Sequence, residues 1–293
     1  MINMKVSGFT FIRNGVELGY PFLLSIQSAL PLCDEFIIAV GESNDATLAA
    51  ISELKSSKIK IIETKWNPHM HGSFVLSEQK MIAHYACTGD WALYIEGDEV
   101  IHEQDIPSIQ QAMKQHLHND NIEALVFDYL HFYGNIKTTI SSPSWCRRAP
   151  RILKRSVKAY APDALFWTVR TSNKKSRYPK AALANATIYH YGHVRSIDEM
   201  LLKGKQMSVV GWDLGINAAT FNYSNIDYKT LKEFNSSHPE GITSIFPSAS
   251  KKLQANKNHT LTKREKKNRL GLLLEKIFNI DLSNKRFKLM KTD

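Results

Sequence analysis

Residues 90–101 read DWALYIEGDEVI, and the fold turns on them. An apolar run, Trp91 to Ile95, breaks off into Glu96, Gly97, Asp98 and Glu99. Apolar β-formers followed by clustered acids read as a buried strand that delivers carboxylates to its carboxyl end. In open α/β sheets, ligands bind in the crevice outside those ends. Three acids in four positions repel one another unless a positive charge sits among them. A divalent cation answers that need, and Mg²⁺ or Mn²⁺ commonly links such carboxylates to the phosphates of a substrate. The competing reading is a polar turn after a core strand.

Outward from this block, the first 130 residues alternate. The sequence predicts strands in MKVSGFTFI, in EFIIAVG (35–41), in KIKIIE (58–63) and over 124–132. Helical periodicity falls between them, over 15–30, after Ser43 or Asn44, over 74–86 and over 105–117. Strands separated by helical segments of this length build βαβ units and a mainly parallel sheet. Beyond residue 135 the alternation fades. A short strand is expected at 151–154, loop and strand pieces over 161–169 and 187–194, and helices over 196–210 and 269–280. Residues 235–262 read as a linker rich in Ser, Asn, Pro and Lys. The expected organisation is one α/β domain over 1–234, with a nucleotide-binding half (1–134) and an acceptor-side half (135–234). A linker and basic C-terminal extension (235–293) follow.

The chain has 293 residues and a net charge of +10, unevenly spread. Residues 251–293 hold 13 Lys and Arg against 4 Asp and Glu, so the preceding 250 residues are nearly neutral. A basic tail of this kind suits an anionic membrane surface, and the apolar stretch GLLLEKIFNI beside it fits an interfacial segment. A solvated tail with one docking helix is the alternative. Nucleic acid is disfavoured, because the tail carries no recognised motif. Three scattered cysteines argue against a disulfide framework and fit a reducing compartment. No apolar run approaches the roughly 18 residues of a spanning helix. The expected setting is the cytoplasm, with peripheral attachment to the membrane's inner face.

Several common reasons for an α/β sheet are missing. There is no GxGxxG, no GxxxxGK[ST], no GxSxG and no HExxH. The first strand ends in Thr10, Phe11, Ile12, Arg13 and Asn14, where Arg13 could pair with a phosphate and the backbone could hold a base. The second ends in VGESNDAT; Asp45 reads as a helix cap, and Glu42 is left open between structural and ligand-binding roles.

The pieces VSGFTFIRN, DEFIIAVGESNDAT and GDWALYIEGDEV, followed by FDYLHFYG, RRAPRILKR and YHYGHVR, resemble in order and spacing a family-2 glycosyltransferase of the A-type (GT-A, nucleotide-diphospho-sugar transferase) fold. The resemblance covers about residues 4–210 and points to a bacterial envelope-glycan subgroup. It implies transfer of a sugar from a nucleotide donor, a UDP-sugar first of all, to a glycan or glycolipid hydroxyl, with inversion by single displacement. It implies Mn²⁺ or Mg²⁺ on Asp98 and His190. Donor contacts would come from Thr10, Phe11, Arg13, Glu42, Glu96 and Gly97. Asp163 would be the general base, with Asp128 its rival. Arg147 or Arg195 could offset phosphate charge. Two departures stand out: Gly41-Glu42 replaces the usual Asp-Asp, and Glu96 replaces the first acid of Asp-x-Asp. Two other classes stay open, a sugar-phosphate nucleotidyltransferase and a non-catalytic scaffold of the same fold.

Overall fold

The computed structural model describes residues 4–67, 69–70, 73–171, 175–209, 214, 216–246 and 253–291. The amino-terminal half runs β1 (Val6–Ile12), α1 (Phe22–Ala29), β2 (Glu35–Gly41), α2 (Thr47–Ser52), β3 (Ile59–Thr64), α3 (Phe74–Ala86) and β4 (Trp91–Tyr94). Then come β5 (Glu99–Ile101), α4 (Ile106–His116), β6 (Ala124–Tyr133), β7 (Asn135–Ile140), β8 (Arg148–Lys154), β9 (Ala159–Tyr160), β10 (Thr168–Arg170) and β11 (Ser176–Arg177). The chain closes with β12 (Lys180–His193), α5 (Ile197–Val209), β13 (Leu231–Glu233), α6 (Ile242–Ile245), α7 (Lys263–Phe278) and β14 (Lys288–Leu289).

Strands β4, β1, β2 and β3 lie side by side and parallel. The sheet is of the α/β class expected from the alternation. Next to β4 sits β8, antiparallel to it and to β6, so the sheet turns mixed beyond residue 100. The long β6 pairs in parallel with β12 along its other edge. Strand β12 also takes β5 near its carboxyl end and β14 at its start.

Alternate residues of the parallel strands feed two separate cores, which is why these strands read as continuous apolar runs. Ile38, Val40, Trp91, Leu93 and Ile95 face one way, against Phe22 and Ile26 of α1 and Ile109 and Met113 of α4. Ile37, Ala39, Ala92 and Tyr94 face the other way, against Ala83 of α3 and Trp167. Helix α1 is shorter than the periodicity from residue 15 predicts. Gly19 adopts φ +59°, and Pro21 follows, so residues 14–20 form turns closed by the Leu18 and Tyr20 amides donating to Asn14 O and Gly15 O. The turns bring Leu18 and Tyr20 to the sheet's mouth. Strands β5, β7, β9, β11, β13 and β14 are absent from the sequence reading. All three cysteines are free.

Candidate functional site

The carboxyl ends of β1, β4 and β12 converge on a cavity of about 480 Å³, the size range of small-molecule sites. Phe11 and Arg13 line it from β1 and its following turn, Glu96, Gly97 and Asp98 from the segment after β4, and His190 and His193 from β12. Trp66 follows β3, and Lys203 and Gln206 reach in from α5.

The acidic cluster divides into two. Glu99 is buried and is held by Arg151, whose Nε donates at 3.0 Å and NH2 at 2.5 Å; Tyr129 OH donates to it at 2.7 Å. The same NH2 reaches Glu96 Oε1 at 2.7 Å. One guanidinium thus serves two carboxylates. Burial, with Glu99 alongside, raises the Glu96 carboxyl to about 7 against the pull of Arg151. Lys80 lies wholly buried with Nζ 3.9 Å from the centre of Tyr94 and 4.3 Å from that of Trp167, donating to Ala164 O at 2.9 Å. Burial and the Arg151 charge bring its pKa down to about 7.

Asp98 points away from this pair into a set of cations. Its Oδ2 accepts from Lys203 Nζ at 3.0 Å, and Arg195 NH2 lies 3.9 Å away. Although burial opposes ionisation, the charges of Lys203 and Arg195 hold its carboxyl well below the usual range. Arg195 donates to Leu18 O and to Gly192 O, while its NH2 has no hydrogen-bond partner.

Two histidines fix the remaining side. Strand β12 places His190 in register with His131 of β6. His131 Nε2 lies 2.5 Å from Cys146 O, and its Nδ1 lies 2.9 Å from His190 Nδ1. A carbonyl only accepts, so His131 carries its proton on Nε2 and its Nδ1 is an acceptor. His190 must then donate through Nδ1, which leaves a lone pair on Nε2. Burial pushes the His190 pKa down to about 3, so the ring is neutral. Its Nε2 faces Asp98 Oδ1 across 3.6 Å.

Two acceptors that face each other across such a gap favour a cation between them. Two ligands each about 2.1 Å from a common ion span a separation of this order. The backbone preserves the opening. A Cβ on Gly192 would lie 2.6 Å from His190 Nε2 and 2.8 Å from Asp98 Oδ2. Histidines that ligate metals usually donate their other nitrogen to a fixed acceptor, as His190 does to His131. Asp98 and His190 therefore fit a divalent ion. Among the described residues no group of three or more His, Cys, Asp or Glu could hold one. On its own the pair offers an ion two protein atoms, Asp98 Oδ1 and His190 Nε2.

The other expected residues are scattered. Arg13 donates through Nε to Glu42 O at 2.9 Å and lies 5.3 Å from the centre of the Trp66 ring. Trp66 Nε1 is buried without a partner. Phe11 stands at the wall, whereas Thr10 is buried in β1 and Glu42 is exposed; neither side chain lines the cavity. Asp45 accepts from the Thr47 and Glu17 amides at 3.0 and 2.8 Å, one position before the helix cap. Asp163 Oδ1 takes the amides of Leu165 and Phe166 at 2.8 and 3.3 Å, and its neighbours Ala164 and Leu165 line the cavity. Asp128 pairs with Arg148 at 2.6 Å, and Arg147 turns to Glu275 and Asp281. Lys203, Arg151, His131 and Trp66 escaped the sequence reading. Lys203 and Arg151 sit in a helix and a strand with ordinary periodicity, and only the fold brings them to the acids.

No protein-family model matches the sequence, and no curated protein does. Among solved structures, the chain is similar to TarS of S. aureus, at 14% identity over 74% of this chain and 68% of that one, with a TM-score of 0.39. It is similar to glucosyl-3-phosphoglycerate synthase from Mycobacterium tuberculosis, in complex with Mn²⁺, UDP and glucosyl-3-phosphoglycerate. There the identity is 19% over 45% of this chain and 46% of that one, with a TM-score of 0.30. Mannosyl-3-phosphoglycerate synthase from Rubrobacter xylanophilus shows 17% identity over 44% and 41%, with a TM-score of 0.31. The chain spans less than half the length of either synthase, and 41% of a longer TarS chain.

Proposed function

We propose that this chain is a glycosyltransferase moving a sugar from a nucleotide-sugar donor, a UDP-sugar first of all, to a hydroxyl of a cell-envelope glycan or glycolipid. The observation that carries the reading is the facing pair of Asp98 Oδ1 and His190 Nε2, 3.6 Å apart at the carboxyl ends of parallel strands, with Lys203 and Arg195 beside it. A polyanion with a flat aromatic head matches this cleft: the cations suit a diphosphate, and Trp66 with Arg13 suits a base.

On this reading Asp98 and His190 hold Mn²⁺ or Mg²⁺. When bound, the ion would neutralise charge that builds on the departing diphosphate. Lys203 donates to phosphate oxygens from the α5 side, and Arg195 keeps Asp98 ionised and oriented. Gly97 lets the donor approach the backbone, and Glu96, held by Arg151, faces the ribose. The acceptor oxygen attacks the anomeric carbon as the bond from that carbon to the diphosphate oxygen breaks. Asp163, whose Oδ1 holds its own turn beside the cavity wall, takes the acceptor proton. One displacement inverts the anomeric centre.

The test is calorimetric titration of UDP, GDP and CMP into the protein, with and without Mn²⁺, beside Asp98→Ala. One nucleotide should bind with metal dependence that the variant loses. If a folded protein binds none of the three, the reading fails.

A further inference from the structure

Helix α7 is amphipathic with its faces reversed. Its polar side turns to the protein. Glu275 pairs with Arg147 at 2.7 Å, Arg269 with the buried Asp227 at 2.7 Å, and Asn268 donates to Ser144 Oγ at 3.0 Å. Thr262 and Glu265 close its start as a capping box. Gly271 passes so near Pro143 that a Cβ there would lie 2.8 Å from its ring. The apolar side is left outside: Leu270, Leu273, Ile277 and Phe278 are 53–63% exposed. Single exposed apolar residues are ordinary, but a contiguous set on one helix marks an interaction surface.

At 3.6 residues per turn, Lys263, Lys266 and Lys267 fall on the same face, one turn before the apolar stripe. All three are exposed. The helix has two acids, Glu265 and Glu275, and both turn inward against His259 and Arg147. The outer face is thus cationic at one end, apolar at the other and without a carboxylate of its own helix. A second copy would bring the same cations against it. A nucleic acid would leave the leucines unmet. An anionic bilayer matches both halves, with headgroups for the lysines and the acyl boundary for the stripe.

We propose that the outer face of α7 is a docking surface for an anionic lipid bilayer. No helix among the described residues is long and apolar enough to cross one, so the contact is interfacial. The proposal stands apart from the sugar-transfer reading and is tested without activity.

The experiment is sedimentation of the full chain with phosphatidylcholine vesicles and with vesicles of phosphatidylcholine and phosphatidylglycerol at 7:3. The unaltered chain should bind the anionic vesicles at least about tenfold better, with the advantage shrinking in salt. Ile277→Glu with Phe278→Glu should abolish binding. Lys263→Glu with Lys266→Glu and Lys267→Glu should erase the preference for anionic vesicles. These side chains are exposed, and unchanged thermal midpoints will show the variants folded. Three results would overturn the proposal: no binding to either vesicle, equal binding to both, or dimerisation in solution that Ile277→Glu abolishes while vesicles are ignored.

Discussion

Lys203 Nζ lies 3.0 Å from Asp98 Oδ2, so α5 neutralises an acid delivered by the segment after β4. The carboxylate is divided in use: Oδ2 faces Lys203, and Oδ1 faces His190 Nε2. The ammonium therefore stands beside the proposed ion position rather than in it. Lys203→Met removes a repelling charge from that ion and a donor from the diphosphate. Mn²⁺ alone should bind about tenfold tighter, worth about 1.4 kcal/mol, while UDP binding in the presence of Mn²⁺ weakens. Paramagnetic titration of Mn²⁺ beside nucleotide calorimetry checks both. If neither changes, Lys203 has no part in the site.

His131 acts through His190. It fixes which nitrogen of His190 carries the proton and does not itself face the cavity. His131→Phe keeps the ring contact with Trp145 but frees His190 Nδ1 to accept or donate. Mn²⁺ affinity should fall by about 10- to 100-fold, the usual cost of losing an outer partner. Nitrogen NMR of the imidazoles should show the Nε2 lone pair of His190 fixed in the unaltered chain and mixed in the variant. An unchanged tautomer would remove His131 from this role.

Arg151 serves Glu99 and Glu96 together, deep beneath the cleft. Arg151→Met leaves buried carboxylates without their cation, and should cost about 3–5 kcal/mol of stability, read as a lower urea midpoint. Adding Glu99→Gln should restore part of the loss, because one orphaned charge is removed. Equal midpoints for the single and double variants would mean that packing, not charge, sets the penalty.

The buried histidines set an acid limit. The folded pKa of His190 is pushed down to about 3 by burial, and His131 and His193 are lowered as well. Below about pH 6.5 the unfolded chain takes up protons that the folded chain refuses, so stability falls as pH drops from there toward 3. Each such group contributes up to about 1.4 kcal/mol per pH unit. The depressed carboxylates, Glu35 at about 2 among them, act in the same direction in a lower window, below about pH 4. Urea midpoints at successive pH values should fall already between 6.5 and 5, and less steeply in His190→Gln. A flat response there would contradict neutral buried imidazoles.

The parallel half of the sheet is legible in the sequence because its strands are buried on both faces and separated by periodic helices. The helix at 74–86 matches the predicted span to the residue, and β6 and α4 match to within about one residue. Beyond residue 135 the strands pair across long distances, and Asn135–Ile140 carries no signal of its own. The acids were visible because they crowd together in one strand end. Their partners were not: His131, Arg151 and Lys203 lie 33 to 105 residues along the chain from Asp98, and only the closed sheet brings them together. The tail's charge was plain, but its inverted amphipathicity depends on Arg147, Asp227 and Ser144, which no local pattern marks as its partners.

Strand β14 has only two residues, yet it covers the start of β12. Lys288 N donates to Pro179 O at 2.8 Å and Met290 N to Ala181 O at 2.9 Å, while Phe287 is buried in the core. Without them, backbone groups at the edge of a 14-residue strand would lie open, a template on which another chain can build. Loss of Phe287 to Met290, by proteolysis or deletion, would therefore show first as aggregation, before any change at the cleft.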